Sequence, residues 1–362
     1  MGRSIKFFYA KAPVCKSNKK GQMKVFYKEI DTPFQYPFTI SGGRTKSAQP
    51  ALVVGLQVGN YLGWGEAPAI TYYQVTVAGM VRSLEAQKEV IEKFALTDPE
   101  RFWHFLHHLF PENPFLVCAL DMAGWDLFGK IENKPVYKIW DTTWENVPMT
   151  DYTIGLDGIP EMVKKMQEHP WPIYKVKLGV PNDVEIIQAL REQTDRPIRI
   201  DANAGWTLEE ALERIPVLAK LGVELIEQPL AKDNWAGMEI LFKESGLPLI
   251  ADESCVAEHD VAKCFRHFHG INIKLTKCGG MTPARRMVAE ARSLGMKVMM
   301  GSMNETNIGS AAIANFLPQL DFVDMDGPLL LTGDDMDGLY MVQGKVTLSG
   351  RPGLGVWRKK SL

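Results

Sequence analysis

From Pro148 onward, short β-rich runs recur at a nearly constant interval, with an amphipathic helical stretch between each and the next. The runs are "MTDYTI", "IYKVKL", "PIRIDA", "VELIE", "PLIAD", "INIKL", "KVMMG" and "FVDMD". Strands joined by helical crossovers lie parallel, because a parallel return needs a dozen residues or more and these fold as a helix. Eight strands with seven intervening helices predict a parallel barrel closed by its last strand. An open doubly wound sheet would usually carry a Gly-rich phosphate loop after its first strand, and "TIGLDGIP" lacks the GxGxxG spacing.

The chain before the barrel is of mixed character. "KVFYKEI", "ALVVGLQV" and "YLGWGEA" read as three strands of one sheet, and the pattern turns helical from Thr71 to about Trp140. Between the first two strands, "TPFQYPFTISGGRTKSAQP" reads as a long polar loop of the kind that carries function. The division expected is an α+β unit over 1–147, the barrel over 148–330, and a segment over 331–362 that packs back on the first unit.

Composition narrows the function. A net charge of -2 gives no electrostatic footprint for nucleic acid or an acidic membrane surface, so small-molecule chemistry is the default. No apolar run approaches the ~18 residues of a membrane span. The five cysteines, Cys15, Cys118, Cys255, Cys264 and Cys278, are odd in number and form no CxxC pair. They suit a reducing cytoplasm.

Charged residues mark the C-terminal ends of the strand candidates: Lys175 and Lys177, Asp201, Glu227, Asp252, Lys274, then Asp324 and Asp326. Barrel enzymes build their sites at this rim. Asp201, Glu227 and Asp252 come from consecutive strands, and clustered carboxylates repel unless a cation sits among them. Oxygen ligands without His or Cys suit a hard ion such as Mg²⁺. Glu253 points away from Asp252 and is expected to support it from behind.

Lys177 and Lys274 lie four strands apart and are expected to face each other across the barrel mouth. A lysine beside a divalent cation, another ammonium and apolar walls should have its pKa lowered towards neutrality, as a general base requires. Two opposed bases can take a proton from one face of a carbon and return one to the other, a 1,1-proton transfer. Lys175 is then a fixed cation beside the enediolate formed when a proton α to a carboxylate is removed.

These residues resemble the enolase superfamily, in particular its muconate-lactonising subgroup. "YKVKLG", "RIDANAGW", "LIEQPL", "IADES" and "NIKLTKCGG" look like its KxK motif, three metal-ligand motifs and opposite lysine, in the same order. "GWGEAP", "ALDMAGWDLFGK" and "RPGLG" are similar to signatures of its capping domain. The resemblance implies a modified TIM barrel, (β/α)7β, with an α+β capping domain built from both termini. It also implies one Mg²⁺ per subunit, and Lys177 and Lys274 as the acid/base pair. A homo-oligomer is expected. Members that use a histidine late in the barrel are disfavoured, since all seven histidines precede Lys274.

"FVDMDGPLLL" is similar to the DxD motif of dipeptide epimerases. Two carboxylates on one strand face call for a cationic group on the ligand, and the resemblance makes it the α-ammonium of a dipeptide, bound by Asp324 and Asp326. Resemblance to Ala-Glu epimerases further implies that a basic residue of the first loop meets a glutamate side chain. Arg44 is the first candidate and Lys46 the second. Asn304 in "GSMNE" is expected to line the pocket, where an apolar residue is usual. The leading expectation is epimerisation of the C-terminal residue of a dipeptide, L-Ala-D/L-Glu favoured. The alternatives are an o-succinylbenzoate synthase or N-acyl amino acid racemase, and a non-catalytic peptide- or metal-binding barrel.

Overall fold

A computed structural model describes residues 21–40 and 44–359 and, of these, the side chains outside 37–46. The chain opens with a three-stranded antiparallel sheet, β1 (Lys24–Ile40), β2 (Arg44–Val58) and β3 (Tyr61–Pro68), in that order. The expected polar loop between the first two strands is instead a β-ribbon. β1 and β2 stay paired out to Ile40↔Arg44, with one register shift between Pro33 and Phe38. The alternating side chains and the proline spacing do not reveal this pairing, because its partners lie across the hairpin rather than next to each other in sequence. The ribbon is fastened to the barrel: Thr332 N donates to Pro33 O, and the Tyr36 and His169 rings meet edge to face at 5.9 Å.

Three helices follow, α1 (Val77–Glu92), α2 (Pro99–Leu109) and α3 (Pro114–Ile131), each N-capped by a side chain: Thr76, Asp98 and Asn113. Fourteen of the eighteen residues of α3 are buried. At roughly 1.5–3 kcal/mol for each large apolar side chain buried, α3 is the element on which the cap is built. The glycines of "GWGEAP" explain how closely β3 lies on it. A Cβ at Gly65 would stand 1.8 Å from Ala119 O, and one at Gly63 2.2 Å from Ala123 O.

All eight expected barrel strands form: β4 (Tyr152–Ile154), β5 (Tyr174–Lys177), β6 (Ile198–Asp201), β7 (Val223–Glu227), β8 (Leu249–Ala251), β9 (Gly270–Ile273), β10 (Lys297–Gly301) and β11 (Phe322–Asp324). They pair in parallel in sequence order, and a bridge between Thr150 and Val323 joins the first strand's approach to the last strand. Six of the seven expected helices are present as single helices of eight residues or more. The stretch between β8 and β9 forms only short turns, Glu258–Asp260 and Val261–Cys264, because its buried apolar positions there are limited to Val261 and Cys264. Beyond the barrel, hairpins over 336–358 lead back to the cap, where Leu354 N and Trp64 N donate to the two oxygens of Asp126 on α3.

The described cysteines, Cys118, Cys255, Cys264 and Cys278, are buried and form no disulfide; Cys15 lies outside the described residues. Among the described residues no helix is long and apolar enough to cross a membrane.

Two buried carboxyls join cap to barrel. Glu66 accepts from Thr306 N at 3.0 Å, Thr306 Oγ1 at 2.6 Å and Gly309 N at 3.2 Å. Asp121 accepts from Thr282 Oγ1 at 2.7 Å and Thr282 N at 2.9 Å. Burial pushes each up to about 7, partly offset by these donors. The folded protein then holds protons that the unfolded chain has released, so stability falls as pH rises from the ordinary carboxyl range through 7. Each group is worth roughly 2 kcal/mol between pH 5.5 and 8. The thermal midpoint is expected to fall over that interval, and Glu66→Gln, uncharged at every pH, to flatten the slope. An unchanged slope in this variant would mean that Glu66 is already ionised at pH 5.5 in the folded protein.

Candidate active site

Side chains alternate along a strand, so every second residue of each barrel strand enters the interior. Towards the N-terminal end of that interior Leu225, Ile250 and Met299 are buried together with Phe322 packed on them, and the buried Arg199–Asp151 pair lies against Phe322. Two residues further along the same strands stand Glu227, Asp252, Gly301 and Asp324. The interior thus passes from an apolar plug to a charged layer within one strand repeat, at the end where barrel sites form.

Register sets the charges against each other. Lys177 is the partner of Asp201 on the neighbouring strand, and Asp201 that of Glu227. Lys177 Nζ donates to Asp201 Oδ2 at 2.6 Å. Lys175, 1 % exposed, donates to Asp324 Oδ2 at 2.7 Å and lies 3.1 Å from Asp201 Oδ2 and 2.8 Å from Glu227 Oε2. On the far side, Lys274 Nζ donates to Asp252 Oδ2 at 2.8 Å. The three carboxylates and three lysines expected to act together therefore stand in one cluster at the barrel mouth, all but Lys177 buried.

Their ionisation follows from these contacts. Burial alone would raise Asp201, but Lys177 and Lys175 override it and hold it below the ordinary carboxylate range. Asp252 is likewise held low, by Lys274 and Lys277 against burial. Glu227 is raised, by burial and then by the neighbouring charge of Asp201. The expected lowering of the Lys274 pKa is not what the protein's own groups produce. Burial pulls it down, but Asp252 and Glu227 more than compensate, and it lies above the usual lysine range. Lys175 is raised in the same way by Asp324, Glu227 and Asp201. Asp252, at 2.8 Å, is the foremost of the groups that raise Lys274, and a divalent cation, on which the expected lowering also rested, would act together with burial in the opposite direction.

A divalent ion fits this donor set. Asp201, Glu227 and Asp252 offer only oxygen, from consecutive strands, in a buried layer floored by the apolar cluster and the Arg199–Asp151 pair. Glu227 Oε2 is buried and has no hydrogen-bond partner, its contact with Lys175 being ionic but poorly directed. Among the described residues no three acidic, histidine or cysteine side chains are drawn tightly enough together to cage an ion as they stand, each carboxylate being turned to a lysine.

Asp324 ends β11, and Asp326 lies just past it, accepting from Thr153 N at 2.7 Å. Asp326 is pushed up to about 6 by burial and by the charge of Asp324. Both are buried at the mouth beside Lys175. Asn304 sits in the loop after β10 with a left-handed φ of 64°. Glu253, expected to support Asp252, leaves its buried Oε2 without a hydrogen-bond partner. The side chains of Arg44 and Lys46 lie outside the described residues.

Four neighbours escaped the sequence reading. Asn272 donates to Glu227 Oε1 at 2.8 Å, and Lys277 to Asp252 Oδ1 at 2.5 Å. Arg199 donates to Asp151 Oδ2 at 2.9 Å inside the barrel. Asn272 and Arg199 each stand two residues before a marked residue, so strand parity alone would have found them. Lys277 is one helical turn past Lys274. Gln228 points away from Glu227 along the strand and carries no such signal.

Comparison with known proteins agrees with this geometry. The family model described as enolase C-terminal domain-like matches residues 159–360. A protein of Flavobacterium johnsoniae named L-Ala-D/L-amino acid epimerase is 48% identical, over 92% of this chain and 99% of its own length. The substrate-liganded L-Ala-D/L-Glu epimerase from Bacillus subtilis superposes with a TM-score of 0.88 at 28% identity, covering 93% of this chain and 99% of that one. A dipeptide epimerase from Methylococcus capsulatus, complexed with Mg and the dipeptide L-Arg-D-Lys, gives 0.85 at 26% identity, over 92% of this chain and 99% of that one.

Proposed function

The chain belongs to the enolase C-terminal domain-like family, and on that premise we propose that it is a Mg²⁺-dependent dipeptide epimerase acting on the α-carbon of the second residue. The observation that carries the reading is the placement of Lys177 and Lys274 four strands apart around one buried carboxylate layer, with the Asp324/Asp326 pair at the same mouth.

Asp201, Glu227 and Asp252 hold one Mg²⁺ per subunit. When bound, the ion supplies a Lewis acid that takes up the negative charge developing on the substrate carboxylate. Asp324 and Asp326 receive the α-ammonium and so fix which residue of the dipeptide lies between the lysines. One lysine removes the α-proton and the other delivers a proton to the opposite face, the two exchanging roles with the direction of reaction. Lys175, held by three carboxylates, keeps its proton and remains a fixed positive charge beside the reacting carboxylate. The packed floor beneath, an apolar cluster with the Arg199–Asp151 pair, closes the site from below.

The name of the Flavobacterium relative supports dipeptides with N-terminal L-Ala and a variable second residue, L-Ala-D/L-Glu among them. Arg44 and Lys46 are the proposed contacts for an acidic second side chain, and Asn304 a further lining residue. The protein is proposed to work as a homo-oligomer in the cytoplasm.

The test is incubation with Mg²⁺ and a dipeptide panel in D₂O, following mass gain at the α-carbon. L-Ala-L-Glu and other L-Ala dipeptides are expected to gain one deuterium at the second residue. Exchange confined to N-acyl amino acids would instead assign the racemase branch. Chelation with EDTA is expected to reduce the rate at least about 100-fold, and added Mg²⁺ to restore it; full activity after exhaustive chelation would remove the metal from the scheme.

A further inference from the structure

Resting on the metal role proposed above, we propose that Gln228 is a positioning residue that sets the spacing of Asp201, Glu227 and Asp252. Its side chain is wholly buried and makes four hydrogen bonds. Nε2 donates to Leu230 O at 2.8 Å and to Ser254 Oγ at 2.9 Å. Oε1 accepts from Asp252 N at 3.0 Å and Ser254 N at 3.1 Å. The amide therefore grips the backbone on both sides of the Asp252–Ser254 turn.

The main chain of Gln228 completes the connection. Its N–H donates to Ile250 O at 2.8 Å on β8, and its carbonyl accepts from Ala204 N at 2.8 Å, three residues past Asp201. One residue thus touches the segments that carry all three carboxylates: it follows Glu227 directly, bonds the backbone N–H of Asp252, and ties down the turn after Asp201. It does so in a left-handed conformation, φ 37°, that a non-glycine residue rarely adopts. Such a conformation costs on the order of 1–3 kcal/mol and persists only where the surroundings over-determine it. Glycine would relieve the backbone but remove the amide, so the strain is explained by a need for the side chain.

A carboxylate triad drawn from three strands has no covalent frame, and its spacing depends on how those strand ends are held. Asn272 and Lys277 each orient a single carboxylate. Gln228 is bonded to no carboxylate oxygen. It acts on the distances between ligands, so its loss should appear in metal affinity before it appears in turnover.

Mg²⁺ binding is measured by calorimetry on the whole protein, with the unfolding midpoint measured in EDTA alongside. Gln228→Asn keeps the amide chemistry but is one methylene too short to reach both strands. It is expected to weaken Mg²⁺ about 10- to 100-fold, with most of kcat regained at saturating Mg²⁺. If that variant does not fold, Ser254→Ala, which withdraws one of the four bonds, is expected to weaken Mg²⁺ about threefold. A dissociation constant within twofold of the parent in whichever of the two folds would show a purely structural residue and overturn the proposal. A parent protein that takes up no Mg²⁺ would overturn the metal reading on which it rests, and is distinguished by being seen before any variant is made.

Discussion

Lys274→Met is expected to lower dipeptide epimerisation by about 10³- to 10⁴-fold while leaving the fold intact. Methionine keeps the length and apolar stem of lysine, and Asp252 retains Lys277 at 2.5 Å as a counter-charge, so no buried carboxylate is left alone. What is lost is the proton carrier on one side of the α-carbon. Lys177, on the opposite side and paired with Asp201, remains. In D₂O the variant should therefore exchange the α-proton of one epimer and not of the other, and Lys177→Met should show the mirror preference. Mass spectrometry of each pure epimer checks this. Exchange of both epimers by either variant would require a single base that reaches both faces, and would contradict the opposed arrangement.

Substitutions in the Asp324/Asp326 pair are expected to have the next largest effect, and the two should differ. Removing one partner of a buried charge pair costs about 3–5 kcal/mol, so kcat/KM for dipeptides should fall on the order of 10²- to 10³-fold in either variant. Asp326 bonds the backbone of Thr153 and, among the described residues, pairs with no lysine. The loss in Asp326→Asn should therefore lie mainly in KM. Asp324 also receives the Lys175 ammonium at 2.7 Å. Asp324→Asn unbalances that fixed cation and should depress kcat as well. An N-acetylated dipeptide, which lacks the ammonium, should be a poor substrate for the parent and lose little further in either variant. A normal KM for Asp326→Asn with dipeptides would remove the ammonium contact from its role.

The differences between expectation and structure fall where distant parts of the chain meet. The first-domain loop read as irregular because prolines and a glycine pair interrupt its pattern, yet backbone pairing across the hairpin carries it as a ribbon to Arg44. The carboxylates around Lys274 were hidden for the same reason. Its positive neighbours were visible in the motifs, but the 2.8 Å contact with Asp252 depends on the relative height of two strands joined by a long crossover. Glu66 and Asp121 gave no sign of special ionisation in sequence, because their burial exists only where the cap closes on the barrel.

The sequence by itself determined the barrel, its strand count and the face on which each marked residue lies, because alternation along a strand and the length of a crossover are local properties. It likewise placed Lys175, Lys177, Asp201, Glu227, Asp252, Lys274, Asp324 and Asp326 at one end of one interior. Only the tertiary structure decided which carboxylate meets which ammonium, that an apolar cluster and a buried Arg199–Asp151 pair form the floor beneath, and that Gln228 joins three strand ends. Those outcomes depend on register and stagger between strands, which are fixed by packing among residues far apart in the chain.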